Sequence, residues 1–344
     1  MKNRIDLSKY DIRSDLLIEN IDSDINTNVN RINDSVSVTS FYVDDSVSSN
    51  INRKVGTYVT ISYEDITNYE DRVVVSDVLT SEIKKLLNKL NVNNNSTCLV
   101  VGLGNSESTA DSLGPKVISN IIVTRHLFLL NTNVKEGIRC VSSFNPSVMA
   151  NTGIESFDII EGIIKKIKPD FIIVIDSLAA LSIDRLNKTI QITDTGINPG
   201  SGIGNNRKEI SIDTIGVPVI AIGVPTVLYS SVIVNDTINY LFKHISYIKN
   251  NYSMNKLIFN RNNYIKKLKD INLNNLEKEE LSGIIGTLSE EEKYSLICEV
   301  LDNLNYNLVV TPKEIDFLIN KLAIVISNSI NNSLHDSVND NNLN

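Results

Sequence analysis

Cys98-Leu-Val-Val-Gly-Leu-Gly104 and Phe171-Ile-Ile-Val-Ile-Asp176 are the two stretches on which the reading of this chain turns. Each contains an unbroken apolar run of strand length, the pattern of a strand buried on both faces of a parallel sheet rather than on one. An aspartate follows each run, Asp176 directly and Asp111 after a short loop. Open α/β sheets bind ligands and do chemistry outside the carboxyl ends of their strands. A lone buried carboxylate costs several kcal/mol, roughly, unless it is paired or protonated. Two that converge there form a candidate acid/base pair.

Outward from these runs, strand and helix alternate. Gly56-Thr-Tyr-Val-Thr-Ile-Ser62 has the period of two of a half-buried strand, and apolar residues recur at helical spacing between Asp77 and Leu90. Leu99 to Val101 predicts a strand and Pro115 to Leu129 a helix, with Pro115 tolerated in its first turn. A strand is expected over Arg139 to Ser142. A helix from Ser156 to Ile167 ends before Pro169, and further strands are expected at Phe171 to Ile175, Thr189 to Ile192 and Val217 to Ile222. The expected fold is α/β: a central, largely parallel twisted sheet with helices on both faces. Helical periodicity then takes over at Thr237 to Lys249, Leu281 to Leu304 and Lys313 to Ile330, and a frayed tail is expected from His335.

Composition narrows the function classes. The 344 residues are 42% hydrophobic, enough for one large core or two modest ones. The longest apolar runs fall far short of the roughly 20 residues of a membrane span, so no membrane association is expected. The N-terminus has no apolar signal region, and a cytoplasmic location is expected. Three scattered cysteines without CxxC spacing predict neither a disulfide framework nor a zinc ribbon. A net charge of −8 with no Lys/Arg block argues against direct nucleic-acid binding and leaves a basic protein partner open.

The motifs are mostly negative. Gly102-Leu-Gly104 begins a dinucleotide fingerprint, but Glu107 stands where the third glycine belongs. A tight turn needing positive φ accounts for both glycines. Asn198-Pro-Gly-Ser-Gly-Ile-Gly-Asn-Asn-Arg-Lys208 is a flexible segment beside two cations, suited to an anion or to an active-site loop, yet it is not a Walker sequence. No GxSxG elbow or HExxH occurs, and no ligand cluster recommends a metal, so no cofactor is expected. His126 reads as a hydrogen-bonded helix residue. Asp111 and Asp176 have helix capping as a competing role. Asp194 is a third carboxylate at the same rim, and spacing alone does not choose among the three.

The motifs together resemble one family, the spore germination endopeptidases. The resemblance is carried by Cys98 to Asn105, Ala110-Asp-Ser-Leu-Gly-Pro115, Val123-Thr-Arg-His126, Asn151-Thr-Gly-Ile-Glu155 and Lys168 to Asp176. It continues through Asp194 to Gly204, Ile220-Ala-Ile-Gly-Val-Pro-Thr226, Gly286-Thr-Leu and Val310-Thr-Pro-Lys-Glu314, nearly the whole chain. It implies an atypical aspartic-type endopeptidase, made as a homotetrameric zymogen that trims its own N-terminus. Its substrates would be small acid-soluble DNA-binding spore proteins, and its location the cytoplasm of the spore core. The catalytic aspartates fall on Asp111 and Asp176. Tyr10-Asp-Ile-Arg-Ser-Asp-Leu-Leu-Ile-Glu19 matches the processing motif, with the cut between Asp15 and Leu16. Substrate and oxyanion contacts are expected from Asn105, Asp194, Gly200, Ser201, Gly202 and Gly204. The chain then divides into a propeptide (1–15), an N-terminal extension with strands (16–70), an α/β catalytic core (71–250) and a helical C-terminal region (251–344). Two departures stand out: the loop Asn105 to Asp111 lacks the family's Trp and Pro, and Leu181 replaces an Arg. The alternatives are a metal-guided maturation-type peptidase of the same fold and a non-catalytic nucleotide-binding α/β protein.

Overall fold

The computed structural model describes residues 15–19, 28–51, 53–130, 133–200, 207–250, 273–303 and 308–336. By contact the chain divides into two units, residues 13–227 with 311–344 and residues 1–12 with 228–310.

The first unit is built on a sheet. Its strands are β1 (Asn28–Arg31), β2 (Val36–Val43), β3 (Gly56–Tyr63), β4 (Cys98–Gly102), β5 (Val141–Phe144), β6 (Phe171–Ala180), β7 (Thr189–Thr193) and β8 (Val219–Tyr229), in the order β1-β2-β3-β7-β8-β6-β4-β5. Strand β4 is parallel to both neighbours, Cys98 lying opposite Val141 on one side and Phe171 on the other. The Ile172 N–H donates to the Pro218 carbonyl and Leu178 lies against Gly223, so β6 and β8 also run in one direction. The parallel core is therefore β5-β4-β6-β8. Strands β1, β2, β3 and β7 add an antiparallel flank.

The unbroken apolar runs have the predicted cause. Alternate residues of a strand face opposite sides, and here both sides are dry. Cys98, Val100, Phe171, Ile173 and Ile175 pack with Val75, Leu79 and Ile83 of the helix Tyr69–Lys89 and with Ile319, Leu322 and Ile326 of the helix Ile315–Leu334. Leu99, Val101, Ile172 and Val174 pack with Phe157, Ile160 and Ile164 of the helix Ser156–Ile167. Helices thus cover both faces.

Three expectations shift. The helix foreseen from Pro115 to Leu129 is two, Leu113–Ile118 and Arg125–Leu129. Between them the side chains of Ser119 and Asn120 bond back to the Lys116 carbonyl, which competes with helix continuation. Thr124 then ties the chain to β5 by accepting from the Val141 N–H and donating to the Arg139 carbonyl. The strand foreseen at Arg139 to Ser142 begins at Val141. His335 is fully buried rather than frayed, and its Nδ1 accepts from the Arg139 N–H at 3.2 Å.

The second unit is mainly helical, with helices Ser230–Asn250, Asn275–Ser282, Ile284–Thr287 and Glu290–Asn303. Lys293, 3% exposed, is satisfied by Asn239 and Glu290. The short strand β9 (Val309–Val310) pairs antiparallel with Leu228 and Tyr229, the end of β8 that belongs to this second unit. No helix among the described residues is long and apolar enough to cross a membrane.

Candidate active site

Strand β4 ends at Gly102, and the chain beyond it doubles back closely. A Cβ on Gly102 would lie 2.3 Å from the Gly114 carbonyl oxygen, and one on Gly104 would lie 2.1 Å from that of Asp111. Only Gly104 has a positive φ, +111°; Gly102 is needed for the close approach of another backbone rather than for its own conformation. The Asn105 N–H closes the loop by donating to the Asp111 carboxylate (Oδ2) and to its main-chain oxygen, each at 3.0 Å. Asp111 ends a short 3-10 turn, and Ser112 stands between it and the helix Leu113–Ile118. Its carboxylate is committed to the loop, not to a helix cap. Burial pushes Asp111 up to about 6, against the opposing pull of the Asn105 N–H and the Arg207 charge.

Asp176 stands inside its strand, not past it: β6 continues through Ser177-Leu-Ala-Ala180. By alternation it shares the face of Ile172 and Val174. The capping role fails here as well, because the turn Ile183–Arg185 beyond β6 is capped by Ser182. Asp176 is 6% exposed, and its Oδ1 accepts from the Ser177 N–H at 2.8 Å. Burial raises its pKa well above the ordinary carboxylate value, and the negative charge of Asp111 raises it further. Asp15 adds to the rise, while the Ser177 N–H and Arg207 oppose it. Asp111 is the strongest charged neighbour of Asp176, so the two aspartates named from the sequence lie within electrostatic reach of one another.

A third carboxylate comes from the N-terminal segment. Asp15 Oδ2 accepts from the Ala179 N–H at 2.9 Å, three residues along β6 from Asp176. Leu16 is fully buried against Leu178 and Ala180, and Leu17 packs with Phe41, Val43 and Tyr58. Glu19 Oε2 accepts from the Leu181 N–H at 2.9 Å, and its other oxygen lies 3.7 Å from Arg185 Nε. The segment expected to carry the processing cut therefore lies along the strand that carries Asp176, with Leu16 buried and Asp15 half-buried beside it. Leu181 takes part in this contact through its main-chain N–H.

The germination protease family profile matches residues 13–344. The germination protease of a Geobacillus species (strain WCH70) is 42% identical, with 99% of this chain and 98% of that protein aligned. Those of Bacillus cereus (strain ATCC 10987) and Bacillus subtilis (strain 168) are each 41% identical, over 99% and 98% of this chain and 98% and 97% of theirs. This chain belongs to the germination protease family. Membership makes it a protease.

In this germination protease family member the remaining expected site residues are spread more widely. Asn105 sits beside Asp111, and its Oδ1 accepts from Asn151. Asp194 is held by structural partners: Oδ2 pairs with Lys89 Nζ at 2.7 Å and Oδ1 accepts from the Thr57 N–H at 2.7 Å. Gly200 has a positive φ of 71°; Ser201, Gly202 and Gly204 lie outside the described residues. Arg207, at the end of that segment, is close enough to lower the pKa of both aspartates. A cavity of about 480 Å³ lies alongside Asp15, lined also by Leu178, Gln191, Thr193, Lys54 and Glu209. Gln191 was not singled out from sequence. Its one signal was a long polar side chain at the centre of the buried run Thr189-Ile-Gln-Ile-Thr193.

Proposed function

We propose that this protease is a self-processing endopeptidase in which Asp111 and Asp176 activate water, Asp111 as general base and Asp176 as general acid. The observation that carries the reading is the Asp15–Glu19 segment, seated along β6 with Asp15 close enough to Asp176 to shift its titration. A base must be ionised and an acid protonated at the working pH. Asp111 at about 6 and Asp176 well above the ordinary range fill those two roles. General acid/base help of this kind supplies on the order of 10² to 10⁴ in rate, and donors to the tetrahedral oxyanion supply much of the rest.

Residues 1–15 are the propeptide in this reading, and the cut between Asp15 and Leu16 releases the Asp15 carboxylate from the Ala179 N–H. The segment doubles as a template of what is cut, an acidic residue followed by a buried apolar one. The substrates are the small acid-soluble DNA-binding proteins of the spore, degraded at germination in the cytoplasm of the spore core. The working form is a homotetramer; Leu129 and Leu130, 65% and 70% exposed, are apolar surface of the kind a second copy covers. Digestion of a purified small acid-soluble spore protein by the processed enzyme tests the reading. Fragments are expected to begin with an apolar residue that followed Asp or Glu. Fragments beginning elsewhere, or an Asp111→Asn chain that digests as fast as the parent, would overturn it.

A further inference from the structure

Strand β7 is buried along its whole length, and its Ile190 and Ile192 point into the main core. Gln191, 7% exposed, therefore faces the opposite side, where the N-terminal segment lies. Its Nε2 donates to the Asp15 carbonyl oxygen at 3.2 Å, and its Oε1 accepts from the Leu17 N–H at 2.7 Å. Reversing the amide would set donor against donor and acceptor against acceptor, so these two bonds fix its orientation. A buried amide left unpaired is destabilising, so both of its polar ends need partners. Both partners of this one are main-chain groups of a single segment: the carbonyl of the Asp15–Leu16 peptide and the N–H of the peptide that follows it.

We propose that Gln191 holds the scissile peptide and donates to its oxyanion, reading the carbonyl of the residue before the cut and the N–H of the second residue after it. This rests on the proposed cut between Asp15 and Leu16. Water adds to the Asp15 carbonyl carbon and gives its proton to the Asp111 carboxylate. The carbonyl electron pair moves onto the oxygen that Gln191 Nε2 already contacts. Collapse of the intermediate breaks the C–N bond, and the Leu16 nitrogen leaves with the proton of Asp176. Asp15 gains an α-carboxyl group and Leu16 an α-amine; transfer of a proton from Asp111 to Asp176 restores the pair. Because both bonds are to main chain, the same amide serves any substrate residue that replaces Asp15, while the Ala179 N–H is free to select an acidic side chain.

Self-cleavage of the purified full chain, followed by intact mass, gives the first test. Gln191→Met keeps the side chain's length and close to its volume while removing donor and acceptor. Losing one oxyanion donor lowers such rates by about 10²- to 10³-fold, and the variant is expected to shed residues 1–15 that much more slowly while melting cooperatively. A second measurement separates this from a structural role. A peptide of residues Tyr10–Asp24 is compared, on wild-type enzyme that has shed residues 1–15, with an analogue in which an ester oxygen replaces the Leu17 N–H. The ester is expected to lose at least about tenfold in kcat/KM on wild type, and to lose nothing on Gln191→Met brought to the processed form by long incubation. Wild type that cleaves while Gln191→Met keeps pace overturns the role of Gln191 alone. Equal cleavage of peptide and ester by wild type does the same, even if the variant fails to fold. Wild type that never loses residues 1–15 overturns the proposed cut and this inference with it.

Discussion

Replacing Asp111 by Asn should make the folded protein more stable at neutral pH while removing its activity. Burial holds Asp111 at about 6 against an ordinary 3.8. Below about pH 4 the acid is protonated in folded and unfolded chains alike, and the site costs nothing. Between about 4 and 6 the unfolded chain ionises first, and folded stability falls as pH rises; above about 6 the full gap is present. At 1.36 kcal/mol per pH unit, a gap of about two units costs roughly 3 kcal/mol. The Asn side chain carries no charge to desolvate and still offers an oxygen to the Asn105 N–H, a weaker bond than the carboxylate's. The net gain should be about 2 kcal/mol at pH 8 and close to zero at pH 4. Urea unfolding of both chains across pH 4 to 8 measures it, on samples whose intact mass shows no cleavage. A structural carboxylate behaves oppositely: its removal costs about 0.5–2 kcal/mol at neutral pH, as for a lost helix cap. Destabilisation of Asp111→Asn at pH 8, or a difference that does not vary with pH, would refute the reasoning.

Three further outcomes follow from the same geometry. Self-cleavage should accelerate as pH rises through about 6, where Asp111 ionises, and decline again at the higher pH where Asp176 loses its proton; a rate profile by intact mass that is flat from pH 5 to 7 would contradict this. Gly104→Ala places a Cβ 2.1 Å from the Asp111 carbonyl oxygen at a φ of +111°, so the turn must move and self-cleavage should fall at least about tenfold, since a shift on the order of 1 Å at a reacting group costs about 10² in rate. Lys89→Met strips the cation from Asp194, whose side chain is 6% exposed; with Lys89 itself half in solvent, about 1–2 kcal/mol of stability should be lost by thermal or urea unfolding, with the self-cleavage rate kept within about twofold.

The parts of the fold that could be read from sequence are those fixed by local pattern. The apolar runs at β4 and β6 announced strands covered on both sides because each alternate residue enters one of two cores. The helix Ser156–Ile167 was bounded correctly by periodicity and by Pro169. Long-range pairing left no such trace. The antiparallel flank β1-β2-β3-β7 places β3 beside β7 although more than 120 residues separate them, and Lys89 meets Asp194 across 105 positions. The apolar pattern ends β6 at Ile175 because a charged residue normally ends a buried strand, yet the strand continues through Asp176 to Ala180 with the acid inside it. Gln191 looked like a polar residue in a strand, and its meaning depends on a segment 174 residues earlier. Choosing Asp111 and Asp176 over Asp194 came from the family resemblance. The structure adds that the charge of Asp111 bears on Asp176, while Asp194 is engaged by Lys89 and Thr57.

The central claim is that Asp111 and Asp176 together cut the chain after Asp15. Intact mass of the full-length protein, incubated near pH 7 as wild type, Asp111→Asn and Asp176→Asn, addresses it most directly. Wild type is expected to lose residues 1–15 in a single step, and each variant to retain them, slowed at least about 10²-fold by loss of the base or the acid. Cleavage of either variant at the wild-type rate, or a wild-type product that begins at a residue other than Leu16, would contradict the account.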